Sequence, residues 1–206
     1  MQDGTKRYLE SITWLSKLYN YVNDELFKGE LTRPVITVQT DTKNTFYGWF
    51  TLGKVWKENE SDEGEYEINM SAQFLDRPVM EIAGTLIHEM CHHWAKVHNL
   101  QDCSRSGHYH NKLFKKIAEE HGLKVERVQL IGWSRTSLTD ETKELIELFL
   151  EHFPAHLIYH TPVVKGMRVR TSSTRKYVCP CCGLSVRATK SVNIACIDCN
   201  EPMQVE

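Results

Sequence analysis

Apolar residues recur every three or four positions at Leu9, Ile12, Leu15, Leu18, Tyr19, Val22, Leu26 and Phe27, and Gly29 follows as a stop. The spacing predicts an amphipathic helix over about 6–28. The pattern then shortens. Val35–Gln39, Phe46–Leu52 and Tyr66–Met70 are β-branched or aromatic runs of strand length, and the acidic Glu58–Glu65 between the last two reads as an exposed loop. Helical spacing returns at Val79, Ile82, Ala83, Leu86, Ile87, Met90 and Trp94. It predicts a long helix over about 76–99, with Asp76 as its cap and Pro78 in its first turn.

A further helix is expected from His110 to His121, stopped by Gly122. The periodicity then weakens, and Ile131-Gly132-Trp133-Ser134 has no reading. At Thr139 a cap opens an amphipathic helix through Leu145, Ile146, Leu148, Phe149 and Leu150 to Phe153-Pro154, whose expected role is packing. Helix, strands and helices in this order predict an α+β domain with a small antiparallel or mixed three-stranded sheet packed on helices.

Composition adds boundaries. At 206 residues and 41% hydrophobic, the chain has the length for one medium domain with a real core and a small appendage. The expected divisions are a core over 1–130, a helical extension over 131–160, a basic linker over 161–176 and a cysteine-rich unit over 177–206. No apolar run approaches the roughly 20 residues of a membrane span, and Met1-Gln2-Asp3-Gly4-Thr5-Lys6-Arg7 lacks a secretory apolar region. An intracellular, reducing location without a membrane partner is therefore expected.

The longest helix carries the most specific chemistry. His88-Glu89-Met90-Cys91-His92 has the form H-E-x-x-H: residues four apart share a helix face, so both imidazoles can hold one Zn²⁺ while Glu89 serves as the general base. A catalytic zinc takes three protein ligands and leaves a fourth position to water. His98 lies six residues after His92, but Ala95 stands where a turning glycine is needed to bring such a histidine back, so continued helix carries it away. His110 and His108, at the start of the next helix, are the rivals. His93 points off the metal face and reads as structural.

The H-E-x-x-H helix, a polar loop, Gly107 and then His110-x-x-x-Phe114 resemble the SprT-like metalloproteases. The likeness extends over most of residues 6–125 and, as a C-terminal zinc ribbon, over 176–203. It implies that His110 is the third ligand and that the activity is peptide-bond hydrolysis. In that reading Glu89 takes a proton from water and delivers it to the departing amine. Phe46-Tyr47-Gly48-Trp49-Phe50 is the candidate strand for holding an extended substrate by its edge, with Gly48 allowing close backbone approach.

A second zinc is expected downstream. Cys179-Pro180-Cys181-Cys182 and Cys196-Ile197-Asp198-Cys199 have the spacing of a structural four-cysteine site, which so short a unit needs in place of a core. The knuckle pattern uses Cys179, Cys182, Cys196 and Cys199, leaving Cys181 as a variable position. Cys91 and Cys103 are expected to be free thiols.

Residues 161–190 hold Lys165, Arg168, Arg170, Arg175, Lys176, Arg187 and Lys190 without a single acid, so the overall charge of −2 conceals a basic arm on an acidic body. Arg168, Arg170, Arg175, Lys176, Arg187 and Lys190, with Tyr177 as a stacking face, suit contact with a phosphate backbone. The resemblance agrees, since it implies action on proteins bound or crosslinked to DNA. Two other readings are a metallopeptidase cutting one regulatory protein, such as a repressor, and a catalytically silent nucleic-acid-binding zinc adaptor. The partners expected are thus protein substrates and DNA, and the cofactors are one catalytic and one structural Zn²⁺.

Overall fold

The first amphipathic run forms α1, Gly4–Leu26, in a computed structural model that describes residues 3–41, 45–105, 107–161 and 174–206. Asp3 caps the helix by accepting from the Thr5 amide, and Trp14, Leu15, Leu18, Tyr19 and Val22 form its buried face. Gly29 ends it as expected: at φ +70° it donates its amide back to the Asn23 carbonyl, a conformation that an L side chain resists.

Three strands follow, β1 (Val35–Gln39), β2 (Gly48–Phe50) and β3 (Glu67–Ser71). The sheet order is β1-β3-β2, with β1 parallel and β2 antiparallel to β3, so the sheet is mixed and β2 is an edge. All five β3 residues are buried, because the central strand is covered on both faces. Ile68 and Met70 join the apolar core. On the other face Glu67 accepts from Thr37, Gln39 and the Trp56 indole, which satisfies a buried carboxylate. The second strand is shorter than its 46–52 apolar run, since the amides of Thr45 and Phe46 go to the Asp41 carboxylate and not to a ladder.

The long helix is α2, Val79–Val97. Asp76 does not cap it; Pro78 occupies the cap position in an extended conformation with no side-chain hydrogen bond. A proline also keeps the preceding residue extended, which leaves Asp76 outside the first turn. Beyond α2 come β4 (Cys103–Ser104), β5 (Tyr109–His110), α3 (Lys112–Glu120), β6 (Leu123–Val128) and β7 (Gly132–Leu138). Asn111 caps α3 through the Leu113 and Phe114 amides, so the helix starts two residues after His110. The strands form a second sheet, order β4-β5-β7-β6, that the apolar pattern did not predict.

Thr139 caps α4, Asp140–His152, as expected, and Ile146 and Phe149 enter the same core as α1, α2 and α3. Residues 1–162 make one compact unit and 163–206 another. In the second, β8 (Arg175–Val178), β9 (Ser185–Ala188), β10 (Ala195–Cys196), β11 (Glu201–Pro202) and β12 (Gln204–Val205) form two antiparallel sheets, β12-β8-β9 and β10-β11. Their core is Tyr177, Cys179, Cys196 and Met203. The fold is therefore α+β with a C-terminal four-cysteine unit. Among the described residues, no helix is long and apolar enough to cross a membrane.

Candidate active site

Helical spacing on α2 puts His88 and His92 one turn apart, and β5 brings in the third imidazole from outside the helix. His110 Nε2 lies 3.2 Å from both His88 Nε2 and His92 Nε2. Both separations match the edge of a tetrahedron whose centre is about 2.0 Å from each vertex, the Zn–N bond length, and the ligand atoms of all three rings lie within 4.8 Å of one another. The donor set fits zinc in both chemistry and size. His98 lies elsewhere, at the end of α2, stacked on Trp94 and 3.4 Å from Glu30. His108 is exposed and joins no cluster of ligand type among the described residues. Ala95, buried inside α2, continues the helix as its lack of a turning glycine required.

The Phe114 ring forms the floor of the site. It lies 4.7 Å from the rings of His88 and His92 and 4.6 Å from that of His110, and is fully buried. This is the physical content of the His110-x-x-x-Phe114 spacing: Asn111 starts α3, and the first turn of the helix carries the phenyl ring under the three imidazoles.

The third ligand is held by a motif without a reading in the apolar pattern. The His110 amide donates to the Ile131 carbonyl at 3.0 Å, and His110 pairs with Gly132 between β5 and β7. Gly132 has φ +78°, and a Cβ there would meet the His110 carbonyl oxygen at 2.1 Å, so the approach requires glycine. Farther along β7, Thr136 Oγ1 is 3.0 Å from His88 Nδ1. Asp102 Oδ2 is 2.5 Å from His92 Nδ1. Neither contact is visible in the spacing of the histidines, because both partners come from distant, non-periodic segments.

Charge is distributed unevenly among the imidazoles. Burial, then repulsion from His92 and His110, holds His88 well below the ordinary histidine range, and burial with the His92 charge lowers His110 to about 4. Burial acts on His92 in the same sense, but its hydrogen bond to Asp102, contact with Cys103 and the Glu89 charge raise it to about 10. The two rings held low, His88 and His110, present the neutral nitrogen that a metal ligand requires.

Glu89 is buried beside the triad. Burial raises its pKa to about 7, against lowering by the His92 charge and by a hydrogen bond from the backbone of Phe50. Tyr47 O and Thr51 N bond toward β3, so the backbone groups of Gly48 and Phe50 face the open edge. Gly48 admits close approach, but to β3 and α2: a Cβ there would lie 2.8 Å from the Asn69 carbonyl oxygen on β3, and 3.2 Å from Thr85 Cγ2 and 3.4 Å from Glu89 Cγ on α2. The aromatics around it divide, with Phe50 stacked on His93 while Phe46 and Tyr47 are exposed.

His93 is structural in its contacts. It is buried against Tyr19, Phe50 and Tyr66. The Tyr19 hydroxyl donates to the Thr32 carbonyl and lies 3.1 Å from His93 Nδ1, while Thr32 Oγ1 lies 3.3 Å from Nε2. Burial lowers its pKa to about 4, so the ring is neutral.

In the C-terminal unit Cys179, Cys182, Cys196 and Cys199 bring their sulfurs together, with Cys182 Sγ and Cys196 Sγ 3.7 Å apart, whereas Cys181 is exposed and outside the group. Backbone amides of Cys182 and Cys181 lower Cys179 to about 7 despite desolvation, whereas Cys196 is raised and so is Cys199, the latter by the neighbouring Cys181 and Cys182 sulfurs. The two clusters can thus hold two metal ions, one on three imidazoles and one on four thiolates. Tyr177 is no stacking face: it is buried in the ribbon core, its hydroxyl accepting from the Val192 amide. Of the expected phosphate contacts, Arg187 and Lys190 stand in the ribbon without a salt bridge among the described residues, Arg175 donates to the Thr189 carbonyl and Lys176 pairs with Glu206. Lys165, Arg168 and Arg170 lie outside the described residues.

Comparison with curated proteins and with solved structures gives no match. Residues 15–130, from α1 to the start of the β6–β7 connection, match the model of the SprT-like family. That span is over half of the chain and contains His88, Glu89, His92, His110 and Phe114, and the chain therefore belongs to the SprT-like family.

Proposed function

We propose that this chain is a zinc metalloendopeptidase that hydrolyses peptide bonds in proteins bound or crosslinked to DNA. The observation that carries the chemistry is the convergence of three imidazole Nε2 atoms beside a buried carboxylate, next to an open strand edge. His88, His92 and His110 would hold the zinc. A zinc ion there supplies Lewis acidity, acidifying water and polarising the scissile carbonyl.

The chain's own groups do the rest. Glu89 accepts the proton of the attacking water and passes it to the departing amine. Its carboxylate is buried beside the triad, and its Cγ lies 3.4 Å from where a Cβ on Gly48 of β2 would stand. The outward backbone groups of Gly48 pair with an extended peptide, adding a strand to the edge of the sheet and presenting the scissile bond to the site. Such recognition reads backbone more than side chains, so selectivity must come from location.

Location is the role assigned to the basic segment and ribbon, including Arg168, Arg170, Arg175, Lys176, Arg187 and Lys190, which supply phosphate contacts. The test is cleavage of a DNA-bound protein by the full chain, with and without DNA, beside Glu89→Gln. Cleavage that rises with DNA and disappears in the variant supports the reading. Activity persisting in purified Glu89→Gln overturns the mechanism, and cleavage indifferent to DNA overturns the target. DNA affinity should also fall steeply with salt, with log K linear in log salt concentration.

A further inference from the structure

We propose that Asp102 is a positioning residue that holds His92 in the tautomer and orientation needed to present Nε2 to zinc. The inference rests on the zinc reading of the histidine triad and assigns a purpose to the segment 101–104, which the metalloprotease motif does not include.

A neutral imidazole presents one lone pair, and Nε2 is available to a metal only when Nδ1 carries the proton. Asp102 is only 7% exposed and places Oδ2 2.5 Å from His92 Nδ1, where a carboxylate accepts that proton's hydrogen bond. The other two ligands differ. His88 Nδ1 meets the neutral hydroxyl of Thr136, and His110 Nδ1 is buried without a partner among the described residues. His92 alone has an anionic support, which both orients the ring and strengthens it as a ligand.

The same residue holds the third ligand's strand. The Asp102 carbonyl accepts from the Asn111 amide at 3.0 Å, and the Asn111 side chain donates to Gln101 O at 2.7 Å. Cys103 and Ser104 then pair with His110 and Tyr109 in β4–β5. One segment therefore splints α2 through its side chain and β5 through its backbone. Substitution of the Asp102 side chain should affect the His92 support while leaving the backbone splint in place.

His92, Asp102 and Cys103 also lie close enough to be read as a metal group in their own right, with Cys103 Sγ 3.9 Å from His92 Nδ1. Coordination there would need the same Nδ1 that the carboxylate engages, and a further ion would have to remove its proton. The carboxylate already engages Nδ1, which favours positioning.

The test is chelator competition on full-length, zinc-loaded protein, comparing Asp102→Asn, Asp102→Glu and Cys103→Ser. Asn keeps the size of the side chain and removes its charge. Asp102→Asn should weaken one zinc by about 10–100-fold and leave the ribbon zinc unchanged, Asp102→Glu should recover part of the loss, and Cys103→Ser should match the parent. Unchanged release of both ions from Asp102→Asn overturns the proposal. So does a loss that Asp102→Glu fails to recover while metal-free Asp102→Asn unfolds earlier than its parent, since that describes a structural role.

Nitrogen NMR of the zinc-loaded parent protein gives an answer even if every variant misfolds. A protonated Nδ1 and metal-bound Nε2 on His92 are expected, and metal-bound Nδ1 overturns the assignment. A third zinc per chain that Asp102→Asn and Cys103→Ser both lose also overturns it. If the parent chain binds zinc only at the ribbon cysteines, the metalloprotease reading fails first, and the two failures remain distinguishable.

Discussion

The two candidate metal sites are built in opposite ways. The histidine triad stands on a core assembled from α1, both sheets and three further helices, with Phe114 fully buried beneath it. Two of the four cysteines are themselves part of the buried core of their unit, beside Tyr177 and Met203. In the first case the fold makes the site; in the second the site makes the fold. The difference follows from the apolar surface each segment can remove from water: a unit of a few dozen residues rarely buries enough to offset chain entropy.

The largest expected effect is therefore metal removal. A structural zinc in a small domain contributes on the order of 10–16 kcal/mol of binding free energy that is also folding free energy. Chelation should unfold residues 174–206 while α1–α4 keep their slow-exchanging amides. Hydrogen exchange followed by mass spectrometry resolves the two. Global loss of protection on chelation would break the contrast, showing that the histidine centre is as metal-dependent as the ribbon.

Phe114→Ala probes the contrast from the other side. Removing a fully buried phenyl ring typically costs about 3–5 kcal/mol, and here it also removes the surface on which all three imidazoles rest. Denaturant unfolding of the metal-free protein should show this loss in the core transition, with the ribbon's zinc affinity unchanged. A wild-type core midpoint in this variant would show that the triad is not supported by the packing beneath it.

The contrast also explains what could be read from sequence. A helix announces itself by period, so α1, α2 and α4 follow their apolar spacing, and the candidate metal ligands of α2 follow from two histidines four apart. Cysteine pairs announce the ribbon equally well, because the ligand spacing is local. The second sheet is different. β4 and β5 are two residues each, and β6 and β7 mix polar and apolar positions because much of their surface is exposed. Their ladder is nonlocal, and so are the contacts of Asp102 and Thr136 to the ligands. Gly132 could have been suspected from its place beside Ile131 and Trp133, but only the approach of His110 gives its positive φ a reason. Tyr177 was misleading for a related reason: a ring beside basic residues suits stacking on a base, but a minimal core needs the same ring inside.

Acidity should act on the two regions by different routes. In the ribbon, protons would compete with zinc for the four thiolates. In the core, His121 is buried beside Phe27, at 4.2 Å between ring centroids, and burial lowers its pKa although the Ile117 carbonyl acts in the opposite sense. Well above the unfolded value of about 6.5 the ring is neutral in both folded and unfolded chains, so its contribution is fully present. As pH falls through the unfolded value toward the lower folded one, the unfolded chain takes up the proton first and that stability is lost. His121→Gln should shrink the fall in core stability between about pH 7.5 and 5.5, measured by urea unfolding of metal-free protein. An identical fall in the variant would assign the acid sensitivity to other groups.

The smallest effect tests whether α4 belongs energetically with the histidine centre or merely covers it. Thr139 accepts from the Thr142 amide at 3.2 Å, and its own amide donates to the Gly122 carbonyl at the end of the α3 segment. Thr139→Ala removes the side-chain cap and keeps the backbone bond, so it should cost about 1 kcal/mol and lower the core melting temperature by about 2–4 °C. Because Ile146 and Phe149 pack into the same core as α2, the loss should appear in the core transition as a whole and not as early fraying of one helix. Zinc release from both centres should be unchanged at room temperature, since the cap touches no ligand. A separate early transition at α4, seen by hydrogen exchange, would instead make the helix an appendage and confine the support of the triad to the two sheets with α1, α2 and α3.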